Sequence, residues 1–580
     1  MKFPEMWNLD RIYEGGSASS SFQKCFQKTK ERTNTFKTFL KEKKLKEAIF
    51  LLQEINFSMR EMNAFVECLN AQDINDAKAA ALTGQMRSLC TQFSNLELEL
   101  NETLGSLSDQ VFSKLIENFP EISFHLKEKR KNSQDKLPFE KESFINDLAV
   151  DGYHGWSELW AARIGEMSFP FQKKMLSFGQ IENKLADTKR AIRKESFESI
   201  QKEFKDSQIL FSQILNHLGG FRLEVYKKRG WDLLKEPLDE NRMEKKTLTA
   251  MWKAITSIRT SLKKYLACKS ALLGIEKISW YDLEAPLSTP SKELSYQDAA
   301  ETILKQFESF SPKMAAFAKK ALENHWIDAE NRLGKRPGGF CTALPLAKES
   351  RIFMTFSKTM TNLFTLAHEL GHAFHNEIVF PLTEMAQDVK MGVAETASTM
   401  AEMIVTQAAI KEESDPHQRL FLLDDHLSRA VSYLMNIQAR FLFETRFYEK
   451  RSQGFVSHEE LSEIMEKAQK EAYGDSLETY YPLFWAAKMH FFFTDVPFYN
   501  FPYTFGYLFS LGIYHYALEN GDFESSYLSL LEDTGRMNVE DLAKTHLQTD
   551  LSQLQFWDEG LSIIKKDIDE YIKLSKEVSL

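Results

Sequence analysis

His368-Glu369-Leu370-Gly371-His372 is the stretch around which the rest of the chain is organised. Two imidazoles stand four residues apart, with a carboxylate directly after the first. On a helix, positions i and i+4 share a face one turn apart, so both rings can hold one metal ion. Glu369 then lies about 100° round the helix from His368, within reach of a water on that ion. This is the H-E-x-x-H zinc-peptidase pattern. The flanks Asn362-Leu363-Phe364-Thr365-Leu366-Ala367 and Ala373-Phe374 read as a helix with one apolar face, and no proline falls between Ile352 and Phe380. A packed helix is what accurate ligand placement requires. Two structural histidines in a buried helix are the plainer alternative.

The 580 residues exceed one ordinary core and point to two or more lobes. A hydrophobic content of 43% with 27% charged residues fits a globular chain rather than a disordered one. The balance of 83 acidic and 73 basic side chains, a net charge of -10, argues against a general nucleic-acid binder. The five cysteines, Cys25, Cys68, Cys90, Cys268 and Cys341, form no CxxC pair and suit a reducing compartment. The opening residues lack an apolar signal core, and no run of roughly 18 uncharged apolar residues occurs anywhere. The expectation is a cytoplasmic protein with no membrane partner. The sequence assigns no oligomeric state.

Read in order, residues 18–119 are helical: Leu45, Ile49, Leu52, Ile55, Met59, Met62, Val66 and Leu69 recur at steps of three and four. A second helical stretch runs from Ile74 to Leu104. The charged segment Lys127-Glu128-Lys129-Arg130-Lys131-Asn132 reads as a solvated helix end rather than a nucleic-acid patch, because acids are mixed in. Lys235-Glu236-Pro237-Leu238-Asp239-Glu240 reads as a turn or minor boundary, followed by a helix over 247–273 and a loop at Ser288-Thr289-Pro290. Ser295 and Ser311 are N-cap candidates, and Ser457 with Glu460 a capping box. The strongest turn signal is Leu333-Gly334-Lys335-Arg336-Pro337-Gly338-Gly339. It leads into predicted strands over 340–344 and 351–356, so a small sheet precedes the metal helix.

A catalytic zinc takes three protein ligands and leaves a position open. Downstream of the histidine pair the candidates are Glu377, Glu384, Asp388, Glu395 and Glu402, with His375 close by. His375 is two turns from His368, too far along the helix. Glu395 lies among small residues in Gly392-Val393-Ala394-Glu395-Thr396-Ala397-Ser398-Thr399-Met400-Ala401-Glu402, which lets one helix approach another closely. Periodicity favours Glu395, the other acids remaining alternatives. Glu402, seven residues on, is placed to orient a ligand histidine. With Glu369 as general base, the oxyanion of a tetrahedral intermediate needs donors besides the metal. The aromatic run from His490 to Ser510 offers them, with Tyr503 and Tyr507 one turn apart; a plain aromatic core patch is the alternative.

The segments Phe364-Thr365-Leu366-Ala367-His368-Glu369-Leu370-Gly371-His372-Ala373-Phe374-His375 and Val393-Ala394-Glu395-Thr396-Ala397-Ser398-Thr399 resemble oligoendopeptidase F, in the thimet-oligopeptidase family of zinc peptidases. Gly338-Gly339-Phe340-Cys341, Trp280-Tyr281-Asp282-Leu283 and Pro497 through Tyr507 extend the resemblance over most of the chain, with Trp7-Asn8-Leu9 and Phe556-Trp557 near its ends. The resemblance implies a mainly α, two-lobed, zincin-like metallopeptidase with a small β-sheet next to the active site and a deep central channel. It implies one zinc ion on His368, His372 and Glu395, Glu369 as base, and His375 outside the ligand set. His490, Tyr499, Tyr503 and Tyr507 would surround the bound peptide and oxyanion. Gly338 and Gly339 would form a loop above the site, and the strand at 352–356, with Phe353, would pair its edge with the substrate. The expected organisation is an N-terminal helical region over 1–119, an oligoendopeptidase-type N-terminal domain over 120–200 continuing the first lobe, and a catalytic domain over 201–580. The expected activity is endoproteolysis of short unfolded peptides. A carboxypeptidase or dipeptidase on the same motif, and a non-catalytic helical peptide-binding or scaffold protein, are the rivals.

Overall fold

The computed structural model describes residues 2–287, 293–520 and 523–578. The loop expected at Ser288-Thr289-Pro290 lies outside the described residues. The first layer is α1 (Ser20–Lys41), α2 (Leu45–Gln72) and α3 (Ala77–Ser106). From Ile49 to Leu69 the apolar positions read from the sequence are all buried along one face of α2. Side chains start the flanking helices: Ser19 accepts from the Phe22 amide at 3.3 Å, and Asp76 from Lys78 and Ala79 at 2.9 and 3.0 Å. Phe36, Ile49, Leu52, Leu89 and Phe93 close a core between the three helices.

The charged run falls within α4 (Ser123–Gln134), and its members make intramolecular pairs. Lys129 meets Glu97 at 2.5 Å, Arg130 meets Asp109 at 2.8 Å, and Glu128 takes a two-pronged contact from Arg242 at 2.7 Å. A hairpin that the sequence reading did not anticipate, β1 (Phe169–Phe171) with β2 (Lys174–Leu176), precedes the 40-residue α5 (Arg190–Arg229). The boundary expected at 235–240 is instead a short helix, Lys235–Glu240. Pro237 is tolerated there because a first helical turn needs no amide donor. The helix expected over 247–273 is α6 (Lys245–Leu272). Ser295, Ser311 and Ser457 cap their helices as expected.

The small sheet consists of β3 (Ile327–Asp328), β4 (Phe340–Leu344) and β5 (Glu349–Phe353), in the order β3-β5-β4. β4 runs antiparallel to β5 with Phe340 opposite Phe353, and β3 runs parallel to β5. Two expectations are corrected here. The segment over 352–356 offers no edge, because β5 is the central strand and beyond it Met354 and Phe356 donate to Asp328 and Ala329 carbonyls at 3.0 and 2.9 Å. The open edge belongs to β4, whose outer side makes no backbone hydrogen bond among the described residues. Phe353 is likewise no substrate contact. Its ring is fully buried, stacked on Phe340 at 5.3 Å and covered by Trp7 at 5.6 Å.

The N-terminal segment thus clamps the sheet. The indole of Trp7 donates to Gln72 at 2.8 Å, Asn8 donates its amide to His325, and the Ala329 and Glu330 amides donate to Glu5. Trp7→Ala is expected to lower stability by about 4 kcal/mol, the usual cost of emptying a buried aromatic site. Urea unfolding followed by far-ultraviolet circular dichroism measures this.

The sheet feeds α7 (Met360–Val379), started by Thr359 accepting from the Asn362 amide at 3.2 Å. After it come α8 (Met391–Glu412), α9 (Pro416–Val431), α10 (Ile437–Arg451), α11 (Phe501–Glu519) and α12 (Leu554–Val578). α7, α8 and α11 pack in succession at unusually short separations. A Cβ on Gly371 of α7 would stand 2.6 Å from the Ala397 carbonyl of α8, and one on Gly506 of α11 would stand 2.9 Å from the Cβ of Glu395. Among the described residues no helix is long and apolar enough to cross a membrane.

Candidate metal centre

α7 carries His368 and His372 on one face, their rings 4.9 Å apart. α8 brings Glu395 against both, its Oε2 lying 3.4 Å from Nε2 of His368 and 3.5 Å from Nε2 of His372. The contact follows from Gly371, which sits one residue before His372 and admits the α8 backbone where a side chain would hold it off. One ligand atom from each of the three residues falls within 4.8 Å of the others, the only such cluster of His, Cys, Asp or Glu among the described residues. Two imidazoles and one carboxylate form a donor set suited to a divalent cation that keeps a free position. Cys341, the nearest cysteine in sequence, stands on β4 outside the cluster.

The electrostatics fit a cation. Burial works against charge on His368, yet Glu395 and Glu402 outweigh it and raise the imidazolium pKa to about 10. Burial also opposes charge on Glu395, but the two imidazoles hold its carboxyl well below the ordinary carboxylate range. Glu402 stands behind His368, its Oε2 3.2 Å from Nδ1, and Ser398 donates to Glu395 Oε2 at 3.0 Å. The other candidates lie elsewhere. Glu377 pairs with Lys320 at 2.9 Å, Glu384 with Asn56 at 3.2 Å, and Asp388 with Arg242 at 3.0 Å. His375 is buried against Thr534 at 2.7 Å. Glu369 is buried beside the histidine pair, and burial pushes its carboxyl up. A Cβ on Gly339 would come within 3.8 Å of Glu369 Oε1, so the exposed Gly338-Gly339 turn lies next to that carboxylate.

The sequence model described as Peptidase family M3 matches residues 184–560. The chain belongs to peptidase family M3. A second model, described as Oligopeptidase F, matches residues 104–169. An oligoendopeptidase F homolog of Lactococcus lactis is 23% identical over 78% of this chain and 77% of its own length. Oligopeptidase PepF of Bacillus subtilis is 23% identical over 87% of this chain and 78% of its own. Among solved structures, one from Chlamydophila abortus aligns with a TM-score of 0.83 at 19% identity over 98% of each chain. Oligoendopeptidase-F from Enterococcus faecium aligns with a TM-score of 0.70 at 18% identity, covering 96% of this chain and 98% of its own. These structures share the mainly helical architecture with its small sheet.

In this M3 peptidase the aromatic run separates into two groups. His490, Tyr499 and Tyr503 form a half-buried cluster: the Tyr499 ring lies 4.8 Å from His490, and the Tyr499 and Tyr503 hydroxyls are 3.0 Å apart. Asn500 fixes His490, its Oδ1 lying 2.6 Å from Nδ1 while also accepting from Arg440 at 2.9 Å. Burial, the Tyr499 hydrogen bond and the nearby Glu395 charge all hold the Tyr503 phenol above its ordinary pKa, so it stays a proton donor. Tyr507 belongs to the other group, which corrects its expected place at the substrate. Its ring stacks on Tyr433 at 4.6 Å, and its hydroxyl is enclosed without a partner. It lines a 20 Å³ cavity with Glu402, Arg429 and Tyr433, on the far side of His368. The reason is helical phase: Gly506 contacts Glu395 directly, which turns the next residue into the wall. Arg429 and Tyr433 were not legible in the sequence. They come from a separate helix and its extension, with no local pattern that marks them.

Proposed function

We propose that this M3 peptidase is a zinc-dependent endopeptidase that cleaves internal bonds of short, unfolded peptides, with Glu369 as general base. The convergence of His368, His372 and Glu395 on one point, with Glu369 beside it, carries this reading. The names of the Lactococcus and Bacillus relatives support the oligopeptide substrate. One zinc ion held by the three residues would polarise the scissile carbonyl and lower the pKa of a water. Glu369 accepts the proton of the attacking water on its carboxylate and delivers it to the departing amine nitrogen. The open edge of β4 is suited to align an extended peptide by backbone hydrogen bonds, and the turn at Gly338 and Gly339 leaves room for it over Glu369. Glu402 holds His368 in the tautomer that presents Nε2. The free thiols suit a cytoplasmic setting.

The test is cleavage of an internally quenched peptide blocked at both ends, with metal content measured before and after chelation. Loss of cleavage on chelation and its return with zinc is the expected result. Cleavage of free-ended peptides only would establish an exopeptidase instead. Tyr503 is the assigned donor to the developing oxyanion. Tyr503→Phe is expected to lower kcat by about 10²-fold with little change in KM, because the bond is made only in the transition state. Steady-state kinetics on the same peptide separates the two constants.

A further inference from the structure

Glu402 does not hold His368 unaided. Its second oxygen, Oε1, forms an ion pair with Nε of Arg429 at 2.9 Å. The same guanidinium pairs through Nη1 with Asp425 one turn earlier on α9, and its Cζ lies 5.0 Å from the ring centre of Phe364. Phe364 is on α7, four residues before His368. One side chain therefore touches the acid that orients a ligand and the helix that carries that ligand.

We propose that Arg429 is a positioning residue of the metal centre: it locks Glu402 in the geometry that orients the His368 ring. This rests on the ligand set given under Proposed function. The argument is one of charge and shape. Glu395 and Glu402 approach His368 from two sides, at 3.4 and 3.2 Å. A carboxylate in that position, without a counter-charge behind it, is free to turn away from Nδ1 of His368. The planar fork of Arg429 pairs with Glu402 and Asp425 at once, with its Cζ over the Phe364 ring. A lysine would lack the planar fork that fixes the directions of the donors.

The test measures zinc affinity by competition with a chromophoric chelator, together with the melting temperature of the metal-loaded and metal-free chains. Arg429→Met is expected to weaken zinc binding by about 10–100-fold, as loss of a partner behind a metal ligand does. The gap between loaded and metal-free melting temperatures should narrow. Adding Glu402→Gln to Arg429→Met should cost no more than the worse of the two alone, since both act through His368. Arg429→Lys serves if the methionine variant does not fold, with a loss of about tenfold expected. A folded variant whose zinc affinity stays within about twofold of the parent's, or losses that simply add, overturns the assignment. A parent chain that binds no zinc removes the ligand set itself, a result distinct from parent binding with an insensitive Arg429 variant.

Discussion

Glu369→Gln is expected to leave one metal ion bound and to lower kcat/KM by about 10³-fold or more. The substitution keeps the size and hydrogen-bonding reach of the side chain and removes its capacity to take a proton. The proposed ligands are separate groups, His368, His372 and Glu395, so metal stoichiometry should not change. Glu369 is buried among the histidine pair, close to the Gly339 turn that would lie over a bound peptide. No other carboxylate takes its place: Glu395 is turned onto both imidazoles, and Glu402 is engaged with His368 and Arg429. Metal analysis and cleavage of the blocked peptide, run on the same preparation, decide it. Full activity in a metal-loaded variant would assign the proton transfer to another group.

Gly371→Ala should weaken both the fold and the metal centre. The new Cβ would stand 2.6 Å from the Ala397 carbonyl oxygen and 2.7 Å from the Cα of Ser398, both backbone atoms of α8. Backbone cannot swing aside as the end of a side chain can, so α7 and α8 must part. A loss of about 3 kcal/mol is expected from the overpacking alone. The functional consequence is larger, because Glu395 lies on α8 and its oxygen moves away from the histidine pair as the helices separate. Zinc affinity and activity should fall together, with thermal unfolding at lower temperature. Gly84→Ala in α3 is the contrasting case. Nothing lies within 4 Å of a Cβ there, so the same substitution should stabilise by about 0.5–1 kcal/mol through its helix propensity. Calorimetry of the two variants reads opposite signs. A Gly371→Ala chain that melts with the parent and keeps its zinc would show that the helix contact does not place Glu395.

The cluster of His368, His372 and Glu395 was legible in the sequence because it is written in helical period. His368 with His372 and Glu395 with Glu402 are each pairs within one helix, and the small residues around Glu395 announce a close helix contact. The period also found the long helices and their caps. It could not find what depends on the meeting of distant segments. Arg429 reaches Glu402 from a third helix, and an ion pair between helices leaves no local spacing to read. The run from His490 to Tyr507 is apolar and aromatic on every side, so periodicity could not tell that Tyr503 joins Tyr499 and His490 while Tyr507 turns into the wall. The phase was set by Gly506 against Glu395.

The sheet shows the same division. Strand character at 340–344, and at 351–353 of the stretch expected over 351–356, followed from alternating residues after a glycine turn. Which strand keeps a free edge did not, since that required Asp328 and Ala329 to come alongside β5 and the N-terminal Trp7 to cover Phe353. From its sequence alone this protein has a helix-borne histidine pair, a nearby acid of the right phase, and a chemistry of metal-assisted hydrolysis. Tertiary structure decided the side from which each remaining group approaches that centre, because backbone contact at Gly371 and Gly506 sets the rotation and separation of three helices at once.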